Sequence, residues 1–257
     1  MTPTPHSSSV ELAARLGARA GVCHVVSTTP ISPSLQEVIL RGDVKQLTGV
    51  AGNDVMVLVG GTTDHVVRRR YSVRSVDPEI DQFTLWISTG HEGAGSTWAR
   101  SAQPGQPVDI VGPRGKISLD PLADWHLFVG DVSGLSAFYR MAQSIEAPGQ
   151  AVFLVEIAHD DDAHTATFRD GVAITGIFVN RQARTLNDPA GLLGGLAAFA
   201  MPPSNGHAYL FGEFSVLKVL RTALLDRGLL DEQISRKVYW RMGRLNAAHG
   251  EADKADD

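Results

Sequence analysis

Arg70, Tyr71 and Ser72 put a cation, a flat aromatic ring and a hydroxyl on consecutive residues of a β-prone run. Alternation along a strand sends Arg70 and Ser72 to one face and Tyr71 to the other. A flavin calls for that mixture: a guanidinium for its pyrophosphate, a flat ring beside the isoalloxazine, and a hydrogen bond near its reactive nitrogen. The run Gly93-Ala94-Gly95-Ser96-Thr97-Trp98-Ala99 follows. Its small residues let backbone approach a ligand, and Ser96 and Thr97 are candidate caps for a short helix. A helix start offers unpaired N–H groups and the positive end of a dipole, both suited to phosphate. Farther on, Gly112-Pro113-Arg114-Gly115 reads as a turn at a domain junction. Phe128-Val129-Gly130-Asp131-Val132-Ser133-Gly134-Leu135 runs from strand into helix without a GxGxxG fingerprint. Ligands of open α/β sheets bind beyond the carboxyl ends of the strands, so this loop faces a natural nucleotide crevice.

Such residues need two kinds of scaffold. The first half of the chain is strand-like, with β-prone runs at Leu35 to Leu40, Val55 to Val59, Tyr71 to Val76, Phe83 to Ile87 and Val108 to Val111. Gly42-Asp43, Gly60-Gly61, Asp77-Pro78 and Pro104-Gly105 punctuate them, and that spacing predicts an antiparallel barrel or sandwich. The second half alternates. Strands are expected at Leu127 to Gly130, Ala151 to Ile157, Ile174 to Val179, Ala208 to Phe211 and Val238 to Trp240. Helices are expected at about Ser133 to Ile145, Gly191 to Ala200 and Ser215 to Asp226, the last with Leu217, Leu220 and Leu224 on one face and Gly228 to stop it. Alternation of this kind predicts a parallel sheet with crossover helices. The expected organisation is a β-barrel domain over residues 20–118, an α/β nucleotide-binding domain over 123–245, and flexible tails at 1–19 and 246–257.

Composition excludes several classes. The 257 residues are 43% hydrophobic and 20% charged with a net charge of -5, which suits a folded protein and not a general nucleic-acid binder. No apolar run approaches the ~20 residues that span a bilayer. The polar, Pro/Ser-rich start lacks the layout of a secretory leader, and the single Cys23 excludes an internal disulfide. These features predict a cytoplasmic protein with no membrane partner.

Taken in order, the Arg-Tyr-Ser strand, the small-residue turn, the Gly-Pro-Arg-Gly junction and the Gly-Asp loop resemble the siderophore-interacting proteins. These are a branch of the ferredoxin-reductase-like flavoenzymes. The resemblance runs from about Val22 to Gly243 and takes in Gly212-Glu213 and Tyr239-Trp240-Arg241-Met242-Gly243. It implies an N-terminal antiparallel FAD-binding β-barrel followed by a C-terminal α/β nucleotide-binding domain with a mostly parallel sheet. The implied activity is NAD(P)H-dependent reduction of a ferric siderophore through FAD, releasing Fe(II). Arg70 would hold the FAD pyrophosphate, Tyr71 would stack along the flavin with Val73 beside it, and Ser72 would sit near N5 and O4. Gly95, Ser96 and Thr97 would bind phosphates through their backbone. Thr89 stands where the family often has a histidine, with His91 two positions on, and both join the cofactor set. Asp131, Ser133 and Glu213 would lie beside NADH or NADPH, with Trp240 among the cofactor contacts. After Asp131 the chain has Val132, Ser133, Gly134, Leu135 and Ser136 where the family typically has Glu, Thr, Ala, Leu and Pro. The chemistry is cofactor-centred, so no side chain is expected as a general acid or base, and no protein-held metal is expected.

The substrate is then a ferric siderophore or another small molecule, and an external electron donor such as a ferredoxin-like protein is an alternative to nicotinamide. Two other functions fit the same residues: a biosynthetic FAD oxidoreductase acting on an organic substrate, and a non-enzymatic flavin-containing siderophore-binding protein. Arg236, Lys237 and Arg241 form a basic cluster suited to attracting an anionic siderophore. Asp160, Asp161 and Asp162 read as a hydrated loop whose charge, if beside the adenine ribose, would favour NADH. His24, His65 and His126 show no metal-ligand spacing, and Cys23 reads as a small buried hydrophobe.

Overall fold

The computed structural model describes residues 4–62, 65–115, 117–163 and 170–243. The chain divides into two compact units, with the break after Ser118.

In the first unit, β1 (Arg19–Ser32), β2 (Leu35–Arg41), β3 (Asp54–Gly61), β4 (Val66–Asp77), β5 (Gln82–Ser88) and β6 (Pro107–Arg114) form a closed barrel. The order is β1-β2-β5-β4-β3-β6 and every pairing is antiparallel. Closure leaves no sheet edge exposed to other chains. Alternation fills the interior with Val38 and Leu40 from β2, Val55 and Val57 from β3, Val73 from β4, and Phe83 and Leu85 from β5. Helix α2 (Ala94–Ser101) adds Trp98 and Ala99 to the same cluster.

Three expectations change here. β1 is absent from the strand pattern read in the sequence, because register shifts after Val25 and Pro30 break the period of two. Gly112, Pro113 and Arg114 are not a turn: β6 runs through them to Arg114, pairing Gly112 with Arg19. Within the expected 1–19 tail, α1 (Ser7–Leu16) is an ordered helix that buries Ser9, Leu12 and Ala13 and clusters with Met56 and Val111. The Ser-rich composition that suggested disorder is a helix start. The His6 ring accepts from the Ser8 N–H at 3.2 Å, and Arg68 Nη2 donates to Ser8 Oγ at 2.6 Å and Ser9 Oγ at 3.0 Å. The other expected tail, 246–257, lies outside the described residues.

The second unit is a five-stranded parallel sheet of β7 (Trp125–Asp131), β8 (Gly149–Ile157), β9 (Val172–Asn180), β10 (Gly206–Glu213) and β11 (Ile234–Trp240). Its order is β11-β10-β7-β8-β9, so the chain winds to one side of β7 through β8 and to the other through β10. That reversal opens a crevice at the carboxyl ends of β7 and β10. Helices α4 (Ala190–Ala198) and α5 (Phe214–Asp226) cover one face, with Leu192, Leu196, Leu217 and Leu220 against Leu127, Val129, Leu154 and Leu210. On β7, β8 and β10, Phe128 stacks at 5.2 Å from Phe153 and 5.0 Å from Tyr209, and Phe138 of α3 (Leu135–Ala142) lies 5.5 Å from Phe128. The helix expected from about Ser133 to Ile145 is thus shorter, beginning as a 3₁₀ turn at Val132–Gly134. Asp160–Asp162 form a 3₁₀ turn, and Asp162 is fully buried rather than hydrated, accepting from the His159 N–H at 3.0 Å.

Candidate functional site

In the barrel unit the site grows from β4. Arg69 and Tyr71 share one face of that strand, and Arg70 and Ser72 share the other. Tyr71 turns to the core side, with its ring 6.4 Å from Trp98 of α2 at an interplanar angle of 19°. Its hydroxyl is buried without a hydrogen-bond partner, and burial pushes the phenol up from its ordinary value. Gly95 makes this contact possible: a Cβ there would fall 2.2 Å from Tyr71 Oη and 3.3 Å from Arg69 Cγ. Arg69 and Tyr71 therefore meet the first turn of α2, an eight-residue helix whose opening N–H groups have no partner within the helix.

Arg70 is placed differently from the expectation. It makes a forked pair with Asp54 of β3, Nε to Oδ1 at 3.2 Å and Nη2 to Oδ2 at 2.7 Å, and Asp54 is buried. Asp54 lies opposite Ser72 in the β3–β4 register, which puts this pair on the strand face away from Tyr71. The cation sharing the Tyr71 face is Arg69, a residue the sequence reading passed over. Its signal was the same period of two that separated Arg70 from Tyr71.

Around α2, the capping expectation is corrected: Gly93 is the N-cap, and Ser96 and Thr97 lie inside the helix. The Thr97 N–H donates to Gly93 O at 2.9 Å, so it is already used within the first turn. Ser96 Oγ donates to Ser88 O at 3.2 Å and lies 3.3 Å from His91 Nδ1, tying the helix start to the end of β5. Thr89 is nearly buried, its N–H donating to Ser34 O and its carbonyl accepting from Arg100 Nη1, each at 2.8 Å. Val73 is a barrel-core residue. The cradle at Gly95, the unmet Tyr71 hydroxyl and the adjoining guanidinium fit an anionic cofactor with an aromatic body.

In the parallel-sheet unit the crevice is walled by carboxylates. Asp131 ends β7, accepting from the Ser133 N–H at 2.8 Å and from Trp240 Nε1 at 3.0 Å. Gly212 lies against it: its φ is 149° and a Cβ would come 2.6 Å from Asp131 Oδ2. Glu213 is buried at the start of α5, accepting from the N–H groups of Val216 at 2.9 Å and Met242 at 3.2 Å. Trp240 is therefore an anchor between strand ends. Ser133 Oγ is buried with no hydrogen-bond partner, an unmet polar atom at the crevice.

The basic cluster is split by strand alternation. Lys237 Nζ lies over the Tyr239 ring at 5.4 Å, Arg241 lies over Phe214 at 3.7 Å, and Arg236 is on the opposite face of β11 from Lys237. Among the described residues no group of His, Cys, Asp and Glu is placed to hold a metal ion. No helix among them is long and apolar enough to cross a membrane.

Residues 59–117 match the siderophore-interacting FAD-binding domain, and residues 123–243 match the siderophore-interacting protein family. An uncharacterized protein of Mycobacterium tuberculosis is 29% identical over 185 residues, which is 68% of this chain and 65% of that relative. The chain thus spans less than two thirds of that relative's length. The ferric vibriobactin reductase ViuB of Vibrio cholerae is 24% identical over 191 residues, covering 72% of this chain and 68% of ViuB. Among solved structures, a siderophore utilization protein from T. fusca superposes with a TM-score of 0.79 at 24% identity, over 91% of this chain and 97% of that one.

Proposed function

Because the chain belongs to the siderophore-interacting protein family, we propose that it is an FAD-dependent ferric-siderophore reductase drawing electrons from NADH or NADPH. The observation that carries this reading is the cradle where Arg69 and Tyr71 meet the first turn of α2 at Gly95. When bound, FAD would supply the redox chemistry, accepting a hydride from the nicotinamide and passing single electrons to Fe(III) of the substrate.

The protein's part is binding and orientation. Arg69 supplies a positive charge to the pyrophosphate in place of Arg70, aided by the free N–H groups of Ala94, Gly95 and Ser96. Tyr71 offers its flat ring, while Ser72 is buried on the other face of β4, opposite Asp54. Arg70 holds Asp54 and fixes the β3–β4 pairing behind the site. In the parallel-sheet unit, Asp131, Ser133 and Glu213 shape the crevice for the nicotinamide nucleotide, with Trp240 holding Asp131. Arg241 attracts an anionic ferric siderophore, while the Lys237 ammonium is buried over the Phe211 and Tyr239 rings. ViuB's name supports ferric-siderophore reduction as the activity.

The test is an anaerobic absorption spectrum of the FAD-loaded protein, recorded after NADH or NADPH and again after a ferric catecholate siderophore. Bleaching by the nucleotide, then recovery of the yellow form as an Fe(II) chelator takes up colour, is the expected result. A flavin that stays oxidised under excess nucleotide overturns the nicotinamide step. Arg69→Ala should lower FAD affinity about tenfold or more, as expected for lost charge-assisted hydrogen bonds. Arg70→Ala should instead lower thermal stability, because it removes both bonds of the forked pair to the buried Asp54.

A further inference from the structure

A second group of reactive side chains stands at the amino end of the parallel sheet, opposite the end that carries the nucleotide crevice. His207 is the second residue of β10, Ser235 the second residue of β11, and Asp120 lies on the approach to β7. The His207 Nδ1 is 3.1 Å from Asp120 Oδ2, and its Nε2 is 2.9 Å from Ser235 Oγ. An ionised carboxylate only accepts hydrogen bonds, so in the neutral ring Nδ1 carries the proton. Nε2 is then an acceptor, and the Ser235 hydroxyl donates to it. That is the order of bonds by which an acid orients a base and the base activates a serine, a constellation defined by geometry and not by sequence position.

The orienting acid is itself held in place. Asp120 Oδ1 accepts from the Leu122 N–H at 3.0 Å, and the Asp120 N–H donates to Tyr209 Oη at 2.7 Å. The Leu122 bond is the main cause holding the Asp120 carboxyl below the usual carboxylate range, and the His207 bond adds to it against partial burial. The His207 ring stacks on Tyr209 with centroids 4.7 Å apart. Three further bonds tie the segments around this group into one rim. Asn205 Nδ2 donates to Leu122 O at 2.7 Å, Gln233 Nε2 to Asn205 Oδ1 at 2.9 Å, and the Leu230 N–H to Gln233 Oε1 at 2.8 Å. Leu122 and Leu230 are large apolar side chains on that rim, 79% and 57% exposed. Asp124 and Glu232 are exposed beside them, so the rim repels anions. Ser235 is half-buried, and β11 is the outer strand of the described sheet, which leaves alternate N–H groups along its outer side available to a carbonyl oxygen.

We propose that Asp120, His207 and Ser235 form a hydrolytic site for short, uncharged carboxylic esters with an apolar acyl group, separate from the flavin chemistry. Ser235 Oγ bonds to the ester carbonyl carbon as its proton passes to His207 Nε2. The bond from that carbon to the leaving oxygen then breaks, and the alcohol departs with the proton from Nε2. Water cleaves the acyl-Ser235 ester by the same route, which releases the acid and restores the hydroxyl. Asp120 touches no substrate; it is a positioning residue that fixes the tautomer of His207.

The test uses the FAD-loaded full chain with two probes: p-nitrophenyl butyrate, and a fluorophosphonate whose attachment site is mapped by peptide mass spectrometry. The natural chain should release p-nitrophenolate and carry the phosphonyl label on Ser235. Ser235→Ala should lose that label and at least about 100-fold of the ester turnover, the size expected when nucleophile and base no longer act together. Its flavin content should match that of the natural chain. Asp120→Asn places an amide donor at Nδ1 and so favours the proton on Nε2, where it blocks acceptance from Ser235. It should lower kcat about 100-fold with KM unchanged. An unlabelled Ser235 in the natural chain, the sign of a purely structural tie, overturns the proposal. Ester turnover that survives in Ser235→Ala overturns it as well, and an unchanged kcat in Asp120→Asn overturns the positioning role. Should Ser235→Ala fail to fold, labelling of the natural chain decides by itself.

Discussion

At the level of single residues, the barrel site depends on an atom that is missing. Gly95 has no Cβ, and one placed there would lie 2.2 Å from the Tyr71 hydroxyl. Gly95→Ala should therefore push the Tyr71 ring off α2 and reduce FAD occupancy, read as the ratio of flavin to protein absorbance. Tyr71→Phe removes the clashing oxygen, which is also a buried group without a partner, so it should leave stability unchanged or raise it by up to about 1 kcal/mol. The double variant should then recover most of the occupancy lost by Gly95→Ala, whereas simple addition of the two effects would show that Gly95 acts elsewhere. Glu156 yields a second expectation. Burial is the main cause holding its carboxyl up at about 7, against the opposing pull of Arg181 and Arg184 and with the Asp131 charge adding to the rise. A folded value above the unfolded one means the fold takes up a proton, so this stability is fully present below about 4.3 and is lost as pH rises through about 7. Glu156→Gln should therefore gain in urea midpoint relative to the natural chain at pH 8 and show a much smaller difference at pH 4.5. Part of this was legible in the sequence. The period of two already separated Arg70 from Tyr71, but Asp54 stands sixteen positions earlier, and only the β3–β4 register brings it to Arg70.

At the level of elements, the strands read most directly were those with strict alternation, such as β2 with Val38 and Leu40 turned inward and β5 with Phe83 and Leu85. The parallel-sheet strands were legible as short apolar runs between helices, and α5 as a repeat of Leu217, Leu220 and Leu224. β1 was not, since its Ser-Thr-Thr-Pro stretch and two register shifts erase the pattern. α1 was hidden for another reason. Ten residues form a marginal helix in isolation, so its stability comes from the barrel surface it covers, which composition cannot report. Leu12 is 4% exposed in the cluster with Met56 and Val111, and Gly17 stops the helix in a left-handed conformation at φ 61°. Leu12→Ala should lower the stability of the barrel unit by roughly 2–4 kcal/mol, measured by urea unfolding. Arg68→Ala should act in the same direction, because it removes the donors to Ser8 Oγ and Ser9 Oγ. If α1 were a loosely attached tail, both variants would unfold with the natural midpoint.

At the level of the whole molecule, each unit has its own core. Val38, Val57 and Leu85 belong to a cluster confined to the barrel, while Leu127, Leu154 and Leu210 belong to one confined to the parallel sheet. A chain built this way need not unfold as one cooperative block, since cooperativity follows the contiguous core rather than chain length. Calorimetry should resolve two transitions. Leu85 and Leu210 are both fully buried, so truncating either to Ala should cost about 2–5 kcal/mol in the unit that contains it and leave the other transition in place. FAD then assigns the transitions independently. A ligand that binds only the folded barrel stabilises it by about 2.7 kcal/mol at a hundred times its dissociation constant, so adding FAD should raise the transition that Leu85→Ala lowers. NADH, on the nucleotide reading of the crevice, should raise the one that Leu210→Ala lowers. A single transition displaced equally by both truncations and both ligands would mean that the cores melt together, and binding at one unit would then be felt as stability at the other.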